Sequence, residues 1–330
     1  MFKKIAFWLD NARYNALVQS VLPAFLAVWV AHSEPGFSLL CAILAVIGIA
    51  FAHLGMNLLD DYFDYRKKGA QIRDHLAAAG FRARIAKCPY LTSGAATEKD
   101  LLLAIGVFGA LALACGAVIF ALRGLPILYI TLVAGFLGFS YSGPPLRLGY
   151  LGLGELVIVL MFGPCLMTGA YVSACGTFSP YILFLSAPIG LWVGNIVYTH
   201  SIMDCEPDRS VHKMTLAVLL NSKAGMLAVS ACFIFLPYLI IIAGIACKYL
   251  SVWYLTVLIS LPMAIGLWRM MLVFVKNPKQ VVERKWWMGP IERWKEICEA
   301  DLQWFMVRWF TARNLLMILS LIIFVVEFFV

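Results

Sequence analysis

Charge is what this sequence has least of. Of its 330 residues, 13% are Asp, Glu, Lys or Arg, against roughly 25% in an ordinary soluble domain. With 62% hydrophobic residues, that deficit excludes a soluble globular chain and implies a polytopic membrane protein. No CxxC spacing occurs among the nine cysteines (Cys41, Cys88, Cys115, Cys165, Cys175, Cys205, Cys232, Cys247 and Cys298). Most lie in apolar runs, which excludes a disulfide frame or a zinc site and leaves them as small buried hydrophobes. A low-complexity tract, a heptad run and a soluble domain are missing. So are a glycine-rich nucleotide loop after a strand and any Ser/His/Asp or Cys/His arrangement that would signal a covalent intermediate. The apolar patch after Lys3 and Lys4 is broken by Asp10, Asn11 and Arg13, too short for a cleaved signal peptide, so residues 1–13 read as an interfacial helix.

What is there is a series of apolar runs of about 20 residues, the length that crosses a bilayer. They fall at Tyr14–Ala31, Ser38–Asn57, Leu101–Leu122, Leu125–Tyr141, Leu153–Ala174, Tyr181–His200, Ala224–Ala246, Val252–Val275 and Leu315–Val330. With the N-terminus inside, all but Arg123, Lys248 and Arg269 of the 26 Lys and Arg fall in inner segments, and Arg269 lies near the inner end of its helix. That is the bias of cytoplasmic loops. A net charge of +8 distributed this way points to a bilayer and away from nucleic acid. Two inner segments exceed plain turns: 65–100, a basic loop placed to cover a site, and the Trp-rich 276–313, which suits the headgroup level.

Acids are concentrated where apolar runs end. Asn57-Leu58-Leu59-Asp60-Asp61-Tyr62-Phe63-Asp64 closes the second run, and Asp204-Cys205-Glu206-Pro207-Asp208-Arg209 closes the sixth. On a helix, Asn57, Asp60, Asp61 and Asp64 are expected to project together. Carboxylates at the end of a membrane span are costly and usually functional. Two such clusters could hold Mg²⁺, which takes its remaining ligands from water and a substrate phosphate. The competing reading of the first cluster is a solvated helix end balancing Arg66, Lys67 and Lys68. His200, Asp204 and Asp208 form one stripe if the helix continues through Pro207; the proline could instead break the chain there. His200 could ligate metal, act as a base or donate a hydrogen bond. Arg209, Lys213 and Lys223 follow, as an anion would require. Between the fourth and fifth runs, Tyr141–Gly149 (YSGPPLRLG) forms a rigid turn carrying Arg147, either a phosphate clamp or a simple inner-face anchor.

Carboxylate-held Mg²⁺ with Arg and Lys beside an apolar, aromatic cavity suits a lipidic diphosphate. Metal and cations would stabilise departing diphosphate. The allylic cation left behind would be steadied by aromatic faces, with Tyr62, Phe63, Tyr141 and Tyr198 as candidates.

These stretches resemble the UbiA superfamily of intramembrane prenyltransferases, and within it the menaquinone-pathway dihydroxynaphthoate polyprenyltransferases. Asn57–Asp64 is similar to the family's first Asp-rich motif and Asp204–Val218 (DCEPDRSVHKMTLAV) to its second. Tyr141–Gly149 and Gly152–Pro164 (GLGELVIVLMFGP) are similar to its fourth-to-fifth helix region, and Arg13 through Pro23 to its first helix. The resemblance implies an all-α fold: nine transmembrane helices around a central cavity in one prenyltransferase domain over 1–330. It implies that Asp60, Asp61, Asp64, Asp204 and Asp208 coordinate Mg²⁺ on the prenyl diphosphate. Diphosphate oxygens would be met by Arg209, Lys213 and a basic residue of the first loop, Lys67 or Lys68. Asp60 stands where many relatives have Asn, and His200 where the second motif usually has Asn.

The expectation is therefore Mg²⁺-dependent transfer from polyprenyl diphosphate to an aromatic acceptor, with dihydroxynaphthoate first among acceptors. The expected setting is a bacterial inner membrane, with the site facing the cytoplasm. Asp64, Asp204, Asp208, His200 and Tyr141 are its expected catalytic residues, with Asn57, Lys67, Lys68, Arg147, Arg209 and Lys213 binding substrate. Transfer to another aromatic, a haem or a polar lipid stays open within the enzyme class. From another class, a secondary transporter would place ion-coupling acids near the midplane at broken helices, whereas these lie at helix ends. The dense Asp-Gly and Ala-Arg signature of a CDP-alcohol phosphotransferase is missing.

Overall fold

The computed structural model describes residues 2–66, 88–210, 212–278, 280 and 282–329. Residues 2–11 form an amphipathic helix, α1 (Phe2–Asn11). Nine helices among the described residues are long and apolar enough to cross a membrane. In chain order they are α2 (Tyr14–Ser33), α3 (Leu39–Arg66), α4 (Glu98–Arg123), α5 (Leu125–Ser142), α6 (Gly154–Cys175) and α7 (Tyr181–Met203). After α7 come two short helices, α8 (Cys205–Ser210) and α9 (Leu216–Leu220), then the spans α10 (Lys223–Ala246), α11 (Val252–Lys276) and α12 (Gln303–Val326). No named strand occurs among the described residues; an isolated parallel bridge joins Leu151 and Met214. The protein is thus an all-helical integral membrane protein, as its composition requires.

Seven of the spans lie within a few residues of the expected runs, and two differ. Helix α3 runs on past Asn57 to Arg66, carrying the whole first acidic stretch. Helix α12 begins at Gln303 instead of Leu315, so Trp304 and Trp309 belong to a span and not to a surface segment. Buried Arg308 explains the second difference. Its Nε donates to the Met270 carbonyl at 3.1 Å, its Nη2 to Gln280 at 3.5 Å and its Nη1 to Trp304. A charge satisfied by carbonyls can sit inside a span that a search for apolar runs would cut short.

Helix ends follow local chemistry. Thr97 and Asp100 make a capping box at the start of α4. Gly124 ends α4 at φ 77°, a conformation glycine adopts without cost. Within α6, the turn at Met161–Cys165 widens to a π-helix around Pro164.

The chain folds as two compact units, Met1–Leu148 with Pro164–Ile182, and Gly149–Gly163 with Leu183–Val330. In the first, α3 packs along α4, and α2 and the second half of α6 lie against α3. A buried cluster of Ala12, Leu54, Leu58, Cys88, Tyr90, Leu91, Leu101 and Ala104 joins α1, α3, α4 and the segment before α4. At the opposite end of α3, Arg123 donates from Nε to Ser173 O at 2.9 Å and from Nη2 to Gly36 O at 2.9 Å and Ala174 O at 2.5 Å.

In the second unit α10, α11 and α12 pack together, and α7 meets the first half of α6 through glycines. A Cβ at Gly190 would collide with the Val159 carbonyl and Gly163, and one at Gly163 with the Ser186 carbonyl. Small residues allow such backbone approach between membrane helices. Gly190→Ala is therefore expected to cost about 1–3 kcal/mol through overpacking, read as a lower unfolding temperature in detergent. The control is Gly106→Ala on α4, where a Cβ meets nothing within 4 Å. It should leave that temperature unchanged or raise it, since Ala outranks Gly in a helix.

Candidate active site

The acidic stretch of α3 lies on unbroken helix, but its side chains divide. Successive residues point about 100° apart on an α-helix, so Asp60 and Asp61 share Arg13 but differ in their second partner. Asp61 accepts from Arg13 Nη2 at 3.1 Å and from the Tyr90 hydroxyl at 3.1 Å. Asp60 lies 3.8 Å from the same guanidinium and accepts from Ser142 at the end of α5. Asn57 donates from Nδ2 to the Ala12 carbonyl at 2.9 Å, while its own carbonyl accepts from Arg13. Asn57, Asp60 and Asp61 thus all meet Arg13, and Asp64, seven residues after Asn57, falls on the same arc of the helix. Asn57 and Asp61 hold the junction of α1 and α2, while Asp60 and Asp64 lie one turn apart.

Arg13 is the organising cation of this end. It sits at φ 62° between α1 and α2, with its side chain 21% exposed. Burial works against its charge, but Asp61 and then Asp60 outweigh it and hold the proton more tightly than usual. Burial, and then the Asp61 charge, push the Tyr90 phenol up, keeping it a neutral donor. Asp64 is 3% exposed. Tyr141 is half-buried in the last turn of α5, and Arg147 is half-buried at φ 48° with its N–H on the Gly143 carbonyl at 3.0 Å. Lys67 and Lys68, with much of the 65–100 loop, lie outside the described residues.

In the second unit the stripe after α7 is continuous. The Asp204 N–H reaches the His200 carbonyl at 2.9 Å and the Asp208 N–H the Asp204 carbonyl at 2.8 Å. Pro207 therefore does not break the register: proline is tolerated in a helix's first turn, and here it lies in the first turn of α8. His200, Asp204 and Asp208 share a face, with His200 Nε2 3.0 Å from Asp204 Oδ2. Asp204 and Asp208 are buried, and His200 is 41% exposed. Arg209 is turned to Asn221 Oδ1 at 2.7 Å and Glu206 at 3.5 Å. Lys213 donates its N–H to the Asp208 carbonyl at 2.9 Å, and its ammonium lies 5.7 Å from the Tyr150 ring centre.

Sequence reasoning gave no site role to Arg13, Tyr90, Ser142 or Glu155, because each acts across a tertiary contact. Glu155, in the first turn of α6, is buried and accepts from Ser201 Oγ at 2.7 Å and the Leu216 N–H at 3.4 Å. An acid in a membrane span was the one available signal.

Among the described residues, no three His, Cys, Asp or Glu gather as a self-sufficient metal cage. Mg²⁺ needs none, since one or two carboxylates with water and substrate phosphate complete its shell. Hard oxygen donors one turn apart, Asp60 with Asp64 and Asp204 with Asp208, fit that ion.

Comparison with known proteins bears on both acidic stretches. The UbiA prenyltransferase family profile matches residues 20–289. The 2-carboxy-1,4-naphthoquinone phytyltransferase of Synechocystis sp. is 28% identical over 289 residues, covering 81% of this chain and 90% of that protein. The 1,4-dihydroxy-2-naphthoate octaprenyltransferase of Bacillus subtilis is 24% identical over 250 residues, covering 76% and 77%. Among solved structures, a UbiA homologue from Archaeoglobus fulgidus bound to GPP and Mg²⁺ aligns with a TM-score of 0.60 at 17% identity, over 97% of this chain and 98% of that one. An apo UbiA homologue from Aeropyrum pernix K1 aligns with a TM-score of 0.57 at 18% identity, over 96% and 99%. At those identities the structural likeness establishes the fold.

Proposed function

Because the chain belongs to the UbiA prenyltransferase family, we propose that it transfers a polyprenyl group from polyprenyl diphosphate to a dihydroxynaphthoate-type aromatic acceptor. The observation that carries this is the buried Asp204–Asp208 pair, continued from His200 as one stripe. The naphthoate prenyltransferases among similar proteins support the acceptor class.

Asp60 and Asp64 on one acidic stretch and Asp204 and Asp208 on the other would hold Mg²⁺. When bound, the ion supplies charge to the diphosphate oxygens as the allylic C–O bond lengthens. Asp61 serves Arg13 and Tyr90, and so anchors the first stretch instead of ligating. In the second unit Lys213 meets the diphosphate, and Arg209 does so by exchanging its Asn221 contact. His200 steadies Asp204 through the Nε2–Oδ2 contact. Tyr141, in the first unit, offers an electron-rich face of the kind that steadies an allylic cation. With water kept from the cation, the acceptor ring carbon is the nucleophile that captures it. The C–O bond to diphosphate breaks, a C–C bond to the ring forms, and the ring sheds the substituent it carried there. The bias of Lys and Arg toward one set of loops supports a cytoplasmic position for these helix ends in a bacterial inner membrane.

The test is Mg²⁺-dependent diphosphate release by detergent-purified protein given geranylgeranyl diphosphate and a panel of acceptors. Release dependent on dihydroxynaphthoate is the expected result. Release with polar lipid acceptors alone would overturn the aromatic reading. Neither release nor Mg²⁺-dependent diphosphate binding would overturn prenyl transfer itself and restore ion coupling.

A further inference from the structure

We propose that Glu155 is a positioning residue that sets Lys213 against the Asp204–Asp208 stripe. This rests on the reading of Lys213 as a diphosphate contact. A buried carboxylate at the start of a span is costly unless its oxygens are satisfied. Glu155 divides its two oxygens between chain segments that are distant in sequence. Oε1 accepts from Ser201 on α7, the residue after His200 and three before Asp204; Oε2 accepts from the Leu216 N–H, the first of α9. The second contact serves the orphan donors of that helix start, alongside Thr215, whose Oγ1 accepts from the Val218 N–H at 3.5 Å.

Lys213 lies in the short stretch between these anchors. Its N–H is held by the Asp208 carbonyl at 2.9 Å, and its carbonyl accepts from the Thr215 N–H at 3.1 Å. Met214 pairs with Leu151 just ahead of α6. The backbone of Lys213 is thereby fixed on one side by the acidic stripe and on the other by the start of α6. Glu155 is the side chain that ties those two sides together. Remove it, and Lys213 keeps its charge but loses its place.

Four proteins decide this: Glu155→Ala, Glu155→Gln, Lys213→Ala and the Glu155→Ala/Lys213→Ala double variant. Mg²⁺-dependent geranylgeranyl diphosphate binding is measured directly, with turnover recorded separately. Glu155→Ala should weaken binding about tenfold, the scale of one lost charge-assisted contact, and leave KM for the acceptor unchanged. Glu155→Gln should stay within about twofold of the parent, since its oxygen can accept from Leu216 and its amide can donate to the Ser201 hydroxyl. In the Lys213→Ala background, Glu155→Ala should add nothing, the non-additivity of residues acting through one another.

The proposal is overturned if Glu155→Ala lowers kcat alone with binding intact, if the two substitutions add fully, or if Gln is as damaging as Ala. Should Glu155→Ala not be recovered folded, Glu155→Asp replaces it with the same expectation, being one methylene too short to span Ser201 and Leu216. A parent protein that binds diphosphate but alkylates no aromatic acceptor overturns the proposed reaction and leaves the binding comparison to decide Glu155. A parent protein without Mg²⁺-dependent binding overturns both.

Discussion

Asp64→Asn and Asp208→Asn should each reduce acceptor-dependent diphosphate release by about a thousandfold or more, a barrier increase of roughly 4 kcal/mol. Both carboxylates are buried, at 3% and 5% exposure, and Asn preserves their volume. What it removes is the negative charge that a divalent ion requires. Lost charge compensation for the departing diphosphate is worth several kcal/mol, so the effect should appear in turnover more than in folding. Size-exclusion profile and unfolding temperature should stay near those of the parent. A raised Mg²⁺ requirement in whatever activity remains would identify the lost group as a ligand. Retention of a tenth or more of the parent rate by both variants would rule out carboxylate-held metal at these positions.

Arg13→Met should be the most destabilising single change at the first acidic stretch. The guanidinium touches the Asn57 carbonyl, Asp61 and Asp60 together, and Asp61 is 2% exposed. Taking one partner from a buried pair strands the other charge, at a cost of about 3–5 kcal/mol. Arg13 is 21% exposed, so the low end, about 3 kcal/mol, is the fair expectation after solvent screening. That corresponds to an unfolding temperature lower by roughly 4 °C. Adding Asp61→Asn should recover most of it, because a carboxamide still accepts from Tyr90 and carries no charge to strand. A double variant no more stable than Arg13→Met would show that Arg13 acts by packing and not by charge. Asp61→Asn by itself should impair stability more than Mg²⁺ dependence, which separates it from Asp64.

Much of this was legible because hydropathy and charge act locally. Asp60, Asp61 and Asp64 announce themselves by ending an apolar run, and His200, Asp204 and Asp208 by their four-residue spacing. What was hidden depends on direction and distance. No spacing rule shows that Asp61 turns to Arg13 and Tyr90 while Asp60 turns to Ser142, since those partners lie far away along the chain. Pro207 looked like a break because composition cannot tell the first turn of a new helix from the middle of an old one. Arg308 and Arg313 lay outside the expected last run, although buried contacts make both residents of the span. Glu155 was in view within a matched segment, but its role required two partners from different helices.

The hydrogen bonds of Arg123 also constrain the order of events at the ribosome. One acceptor, Gly36, precedes it by 87 residues, while Ser173 and Ala174 follow by 50 and 51. When the α4–α5 hairpin enters the bilayer, two of the guanidinium's three partners are still unmade. Until α6 emerges, water and lipid headgroups must solvate it, because hydrocarbon cannot. Arrival of the end of α6 then exchanges that hydration for carbonyls. The same residue is first a hydrated charge at a helix end and later a clasp across three segments, closed before the second acidic stretch has been translated.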